Sequence, residues 1–530
     1  MCINKSKFVM RLSNNRKKLY IIGIDSVPVW IVKAALKKHK LPGFQHFFES
    51  GFIDSMESTL PPVTAAAWPS IYTGTGPGKH GVMEFFSIDS DYSKRLMYYD
   101  SEKSRPFWNV LADKGLKSLI ITPAMVLKAT PDPNVDLVTG FPLPPKYNSK
   151  RIEEIAKGIG FVGEENVEGL IKNGQMSLAE GSEIYRRSVR KRVDFAKTLI
   201  EARDYDLVFV CFTETDRIQH YSLGSGIDTA LKYNAPVLKE IDTLIEWIYD
   251  RIMDNREDAA IMIVSDHGAQ GLKKKFLLNT WMINNGFAKL KPTVERQINE
   301  MLSGRSRKEM KSSIKYRLRE KLVGTGAERV YEKMPGSIKK LASKSMSVGL
   351  TISKDGDYVR VHDLNFDNFD IENTKAFGAV STNPVGMIWI NDDRFGRPSV
   401  NKSEKKKLKR EIVKMLSSER GFGGGKLVKK VYDGDEYYGN TRKFIHPDIL
   451  VLLNDGYGVD TFNFSMDNLF IDPDPILNGD HTEDAMFGVF GRSIKIQKLK
   501  GSRVKICDFA PTVYRYFGFS VRGLDGKSLI

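Results

Sequence analysis

Six acidic and imidazole side chains stand where one pocket could gather them. Asp25 ends the apolar run KLYIIGID at 18–25. Asp216 follows DLVFVCF (206–212) after three residues and is joined by His220 in DRIQH. Asp266 closes AAIMIVSD (259–266), with His267 and Gly268 next, and His481 sits in NGDH just before the strand-like AMFGVFG. Each has a plainer explanation alone. An Asp after a strand is often a helix N-cap, a lone His is more often structural than a ligand, and Asp216 and His220 are neighbours on one helical turn. The repetition in four separate segments, using three of the eight histidines, sets those explanations aside. Three carboxylates with three imidazoles suit Zn²⁺ or Mn²⁺ better than Mg²⁺ or Ca²⁺, which favour oxygen shells. Six side chains are too many for one zinc but suit two metals sharing a nucleophile. Two divalent cations balance three Asp and one ionised hydroxyl, whereas the same carboxylates crowded together without cations repel one another.

The nucleophile is expected from STLPPVTAAAWPSIYTGTGPGKHGV, where Thr64 directly precedes a run of small residues that can begin a helix. Backbone N–H groups at such a helix start favour a bound anion, and a metal-bound hydroxyl could ionise near neutral pH and attack phosphorus. An N-cap role for Thr64 is compatible with that one.

The elements that must position these residues read as a doubly wound α/β fold: a mostly parallel central sheet with helices on both faces. Short apolar runs alternate with helical patterns, and ligands in such sheets gather beyond the carboxyl ends of the strands. The strand candidates are 18–25, 117–123, 206–212, 259–266, 386–392 and 448–454, most of them continuously apolar as befits strands buried on both faces. In LKEIDTLIEWIYDRIM, Leu238, Ile241, Leu244, Ile245 and Ile248 repeat at helical spacing. Two polar, helical stretches break the rhythm, at about 145–200 and about 290–365, and both read as cap insertions. The catalytic core is therefore expected over 17–290 and 366–530, with a basic helical cap at 291–365. The run Lys405–Arg410 reads as the solvated face of a helix.

Composition excludes a disordered, collagenous or coiled-coil chain: of 530 residues, 41% are hydrophobic and 28% charged. No apolar run approaches the roughly 20 residues of a membrane span, and the basic start carries no signal-peptide pattern. Three widely spaced cysteines suggest neither a disulfide framework nor a zinc ribbon. A cytoplasmic protein is expected. The net charge of +16 is uneven: residues 296–344 hold 14 basic against 5 acidic residues. That concentration argues against a fold built throughout for nucleic acid; 296–344 reads first as a solvated helical lid, with peripheral contact to an anionic surface as the lesser alternative.

Taken in order, these segments resemble the alkaline phosphatase superfamily, and within it the type I phosphodiesterase/nucleotide pyrophosphatase branch. IIGIDSVPVWIV resembles the first metal Asp and its helix, PPVTAAAWPSIYTGTGPGKHG the nucleophile segment, TETDRIQHYSLG, VSDHG and GDH the later metal motifs, and DFAPTVYRYFGFSVRGLDGKSL the characteristic ending. The resemblance implies that Asp25, Asp266 and His267 hold one metal that also binds Thr64. Asp216, His220 and His481 would hold the other, and Thr64 would form a phospho-threonine intermediate. The metals implied are two divalent ions, Zn²⁺ or else Mn²⁺.

Two departures bear on the substrate. The branch typically reads HG-x-x-x-N, whose Asn donates to a phosphoryl oxygen; here HGVMEF puts Phe85 at that position. Lys79, Arg217 and Asn279 are the candidate replacement donors. His80, in the recurrent HG, reads as structural. TAAAW lacks the sulfatase pattern of Cys or Ser followed by x-P-x-R. The expected activity is hydrolysis of a small-molecule phosphodiester or related phosphoester. The alternatives are a phosphomonoesterase or phosphonate-ester hydrolase on the same core, and a catalytically silent protein that binds anions or membrane surfaces.

Overall fold

The computed structural model describes residues 17–250, 258–302, 350–352, 359–361, 366–379, 384–439, 441, 443–465, 468–491, 494 and 503–530. All of the basic stretch beyond residue 302 up to 344 lies outside them.

Eight strands form the central sheet: β1 (Lys18–Ile24), β2 (Phe52–Glu57), β3 (Ser118–Ile121), β4 (Val135–Val138), β5 (Leu207–Phe212), β6 (Ala259–Val264), β7 (Asp484–Phe490) and β8 (Val504–Lys505), in the order β8-β2-β7-β6-β1-β5-β3-β4. β1 pairs in parallel with β5 and β6, and β3 in parallel with β4 and β5. Only β7 runs against its neighbours β2 and β6. Each strand feeds two cores by its period of two. Leu19 and Ile21 of β1, Phe209 and Cys211 of β5, and Met262 and Val264 of β6 face one core. Tyr20, Ile22 and Ile24, Val208 and Val210, and Ile261 and Ile263 face the other. Covering on both faces explains the unbroken apolar runs of the inner strands β1, β5 and β6.

One face carries the helices Leu178–Ala202 and Ile227–Ile248, packed through Tyr185, Val189, Phe195, Leu238, Ile241 and Ile245. The first starts where Ser177 Oγ accepts from Glu180 N–H and the Glu180 carboxylate accepts from Ser177 N–H, a capping box. The stretch 145–200 also holds the helices Lys150–Ile159 and Glu168–Lys172. On the opposite face lie Thr64–Thr73, Phe107–Ala112 and Phe509–Tyr516.

Two of the expected central strands belong elsewhere. Val385–Ile390 and Ile449–Leu453 lie in a separate four-stranded antiparallel sheet with Ala376–Gly378 and Val428–Asp433. They are fully buried too, so composition alone could not separate the two sheets. The basic run on helix Lys402–Ser418 is only partly solvated: Lys405 pairs with Asp392 and Asp448 at 2.7 Å each, and Lys409 with Asp433 and Asp435.

Candidate active site

The register of the sheet brings the carboxyl ends of β1, β5 and β6 level, with Ile24 opposite Phe212 and Gly23 opposite Val264. Asp25 follows the first, Asp216 the second and Asp266 with His267 the third. Because β7 is antiparallel, it begins at the edge where its neighbours end. His481, just ahead of it, therefore reaches the same place. β2 runs in the direction of β6, and its exit leads through Pro61–Val63 to Thr64, the first residue of its helix. Ala66 and Ala67 donate the first helical bonds, to Val63 O, and Thr64 Oγ1 at this helix start reaches His267.

All six expected ligands and Thr64 meet there. His267 Nε2 lies 3.2 Å from Asp266 Oδ2, 3.5 Å from Asp25 Oδ1 and 3.4 Å from Thr64 Oγ1. Asp216 Oδ1 lies 3.4 Å from His220 Nε2 and 3.3 Å from His481 Nε2. Two groups have the spacing of a metal shell, Asp25–Asp266–His267 and Asp216–His267–His481, and His267 belongs to both. The two half-sites therefore abut.

Outer contacts aim the ligands inward. The Nδ1 atoms of His220, His267 and His481 face the carbonyls of Gly479, Gly268 and Pro62 at 3.0, 3.1 and 2.9 Å. A carbonyl only accepts, so each Nδ1 is the donor and each Nε2 points into the cluster. Trp68 Nε1–H donates to Asp25 Oδ2, and Ser26 N–H donates to Asp266 Oδ1. The opposite oxygens, Asp25 Oδ1 and Asp266 Oδ2, together with Asp216 Oδ1, are buried without a hydrogen-bond partner among the described residues.

The electrostatics call for positive charge. Burial, then Asp266 and Asp216, push Asp25 well above the usual carboxylate range, and burial also raises Asp266. Burial opposes charge on His220, yet Asp216 outweighs it and lifts that imidazole to about 9. His220 and His481 face each other through Nε2 atoms 3.0 Å apart, so the space between them needs a proton or a metal. The donor set and the orphaned oxygens fit two divalent cations held by nitrogen and carboxylate ligands.

Of the candidate substrate contacts, only Arg217 is brought to the cluster, its Nη1 3.6 Å from Asp216 Oδ2. Lys79 is exposed and pairs with Asp525 and the Gly523 carbonyl. Asn279 is buried, and its amide clamps the Gly378 backbone and the Thr461 carbonyl. His80 is buried against Ser70 Oγ at 2.9 Å, accepts from Val82 N–H and is pushed down to about 3 by burial, so it stays neutral. Sequence reasoning missed Trp68, Phe141, Glu164 and Glu168 as neighbours of the site. Trp68 stands one helical turn after Thr64, a spacing the sequence did offer.

A model of one family matches residues 19–364, well over half of the chain. The chain belongs to the type I phosphodiesterase / nucleotide pyrophosphatase family. Members of this family are phosphoric ester hydrolases that depend on metal ions. Among solved structures, phosphonoacetate hydrolase from Sinorhizobium meliloti 1021 in complex with phosphonoacetate is similar at 12% identity and a TM-score of 0.52, over 93% of this chain and 94% of that one. Murine ectonucleotide pyrophosphatase / phosphodiesterase 5 matches at 12% identity and a TM-score of 0.46, over 96% of this chain and 98% of that one. The phosphodiesterase-family chain thus shares the fold of that phosphonoacetate hydrolase. No curated protein matches it. No helix among the described residues is long and apolar enough to cross a membrane.

Proposed function

We propose that this enzyme hydrolyses small-molecule phosphodiesters through a phospho-threonine intermediate on Thr64, with two divalent metals, zinc in preference to manganese. Asp25, Asp266 and His267 would hold one metal beside Thr64, and Asp216, His220 and His481 the other. The observation that carries this reading is the set of three buried carboxylate oxygens without hydrogen-bond partners, on Asp25, Asp216 and Asp266, converging on three imidazole Nε2 atoms. When bound, the metals would lower the pKa of the attacking hydroxyl and stabilise charge on the phosphoryl and leaving oxygens.

The chain's own groups supply position. Thr64 Oγ1, at the helix start, gives up its proton to solvent and forms the new bond to phosphorus while the bond to the leaving oxygen breaks, and that oxygen takes a proton from solvent as it leaves. Water then attacks the phospho-threonine and restores the hydroxyl. Substrate enters from the His220 side. There the side chains of His220 and Arg217 are 21% and 12% exposed, against 1% or less for Asp25, Asp266 and His267. We assign 17–290 and 366–530 to the catalytic core and 291–365 to a cap. The free thiols of Cys211 and Cys507 suit a reducing, cytoplasmic setting.

The test is hydrolysis of an aryl phosphodiester and the matching monoester by zinc- and manganese-reconstituted protein. The diester is expected to be preferred, with loss of at least about 10³-fold in Thr64→Ala. A monoester preference would move the substrate class. Undiminished turnover in Thr64→Ala would overturn the nucleophile.

A further inference from the structure

Arg217 is a cation beside the cluster that is not left free to clamp a substrate. Glu164 Oε1 accepts from its Nε–H at 3.1 Å, and Glu168 Oε2 lies 3.5 Å from its Nη1. Its guanidinium also lies over the Phe141 ring at 4.3 Å, and Phe141 in turn meets Phe85 edge-on at 6.0 Å. Glu164 is fixed from its other oxygen by Thr213 Oγ–H at 2.5 Å. Glu168 stands on the helix Glu168–Lys172. Both come from the polar stretch between β4 and β5. Arg217 with these two carboxylates brings a net charge of −1 to the open side of the site.

That sum bears on the ester class. Near pH 8 a phosphodiester carries one negative charge and a monoester close to two, since the second ionisation falls near pH 6. Whatever the metals and their ligands contribute acts on the phosphoryl oxygens of both. The difference is one extra charge, and recognising it takes an uncommitted cation. In this structure the guanidinium is already neutralised, and neither Phe141 beneath it nor Phe85 beyond that ring offers a donor. We propose that Glu164 and Glu168 are specificity-determining residues that neutralise Arg217 and so disfavour dianionic monoesters. The proposal rests on the phosphoesterase reading of the same site.

The experiment measures binding of inorganic phosphate, a dianion at pH 8, and of dimethyl phosphate, a monoanion, to zinc-reconstituted full-length protein by calorimetry. The variants are Glu168→Gln and Glu164→Gln/Glu168→Gln. Glu168 makes the less buried contact, so its single variant guards against misfolding. Phosphate is expected to bind about tenfold tighter to Glu168→Gln than to wild type, the size of one charge acting across a partly solvated gap. Dimethyl phosphate, with half the charge, should tighten by only about threefold, because the Coulombic gain scales with the charge on the ligand. The kcat/KM ratio of diester to monoester should fall in step. Unchanged phosphate affinity, or equal changes for both anions, would overturn the proposal. Failure of wild type to turn over either ester would sink the phosphodiesterase reading, while the ratio of the two anion affinities would still decide the role of the carboxylates.

Discussion

Asp25 uses its two oxygens differently. Oδ2 accepts from Trp68 Nε1–H at 3.1 Å, while Oδ1 faces His267 Nε2 at 3.5 Å. The indole thus fixes the carboxylate plane, and it does so from the helix that carries Thr64, so Thr64 and Asp25 are positioned by one element. The indole is seated by Gly23, where a Cβ would stand 2.7 Å from the ring. Replacing Trp68 with Phe keeps most of the buried ring and removes the donor. Such outer contacts are worth about 10- to 100-fold in metal affinity. Trp68→Phe is therefore expected to bind zinc at least about tenfold more weakly, in competition with a chromophoric chelator, with unchanged circular dichroism. Equal affinity would mean the indole only packs. The candidate ligands were legible because aspartate and histidine at strand ends are chemically conspicuous. Trp68 was not, because in TAAAW an indole reads as an apolar residue and its donor shows only once a partner is placed beside it.

The helix Ile227–Ile248 shows what periodicity reveals and what it hides. Its apolar stripe was readable and is buried as expected. Asp242, on the same buried side, was not singled out: it accepts from Phe44 N–H at 2.8 Å and ties this helix to Pro42–Glu49. Burial pushes its carboxyl from the ordinary 3.8 up to about 7, against the lowering effect of the Phe44 and Gly43 N–H groups. The sign follows from linkage. Between those values the folded chain keeps a proton that the unfolded chain releases, so this group's contribution to stability falls as pH rises from about 4 to 7. Asp242→Asn retains an acceptor and removes the titration. Its melting temperature relative to wild type should therefore climb between pH 4.5 and pH 8, by thermal denaturation at matched ionic strength. A gap that is flat or shrinks with pH would show that the carboxyl is not held protonated. The same limit explains the two misplaced strands. Apolar runs announce burial on both faces, but pairing direction lies in the partners, and 386–392 and 448–454 carry nothing that names theirs.

Across the whole molecule, the C-terminal segment closes onto the far end of the helix that Thr64 begins. Asp508 accepts from Lys505 N–H and Lys527 N–H through its two oxygens, and Leu529 N–H donates to Thr512 Oγ1. Asp525 accepts from Gly76 N–H at 2.8 Å, while the N–H groups of Asp525 and Gly526 reach Gly74 O, the C-cap of Thr64–Thr73. This clasp is the physical content of the D-x-A-P-T and D-G-x-x-L spacing. It was legible in the sequence as a pattern, but its target was not, because the contacts span more than 400 residues. Gly526 is where the fit is tightest, since a Cβ there would stand 1.9 Å from Cys507 O, a backbone atom that cannot turn aside. Gly526→Ala must therefore lift the tail from the helix end. An overpacked site costs about 1–3 kcal/mol, so the variant should melt a few degrees lower and be trimmed faster at its C-terminus by carboxypeptidase. Its zinc stoichiometry should stay at the wild-type value, because no ligand contact is touched. Slower turnover at full metal content would then show that the clasp holds Thr64 in register with the metals. Unchanged melting and trimming would show that the tail merely covers the surface.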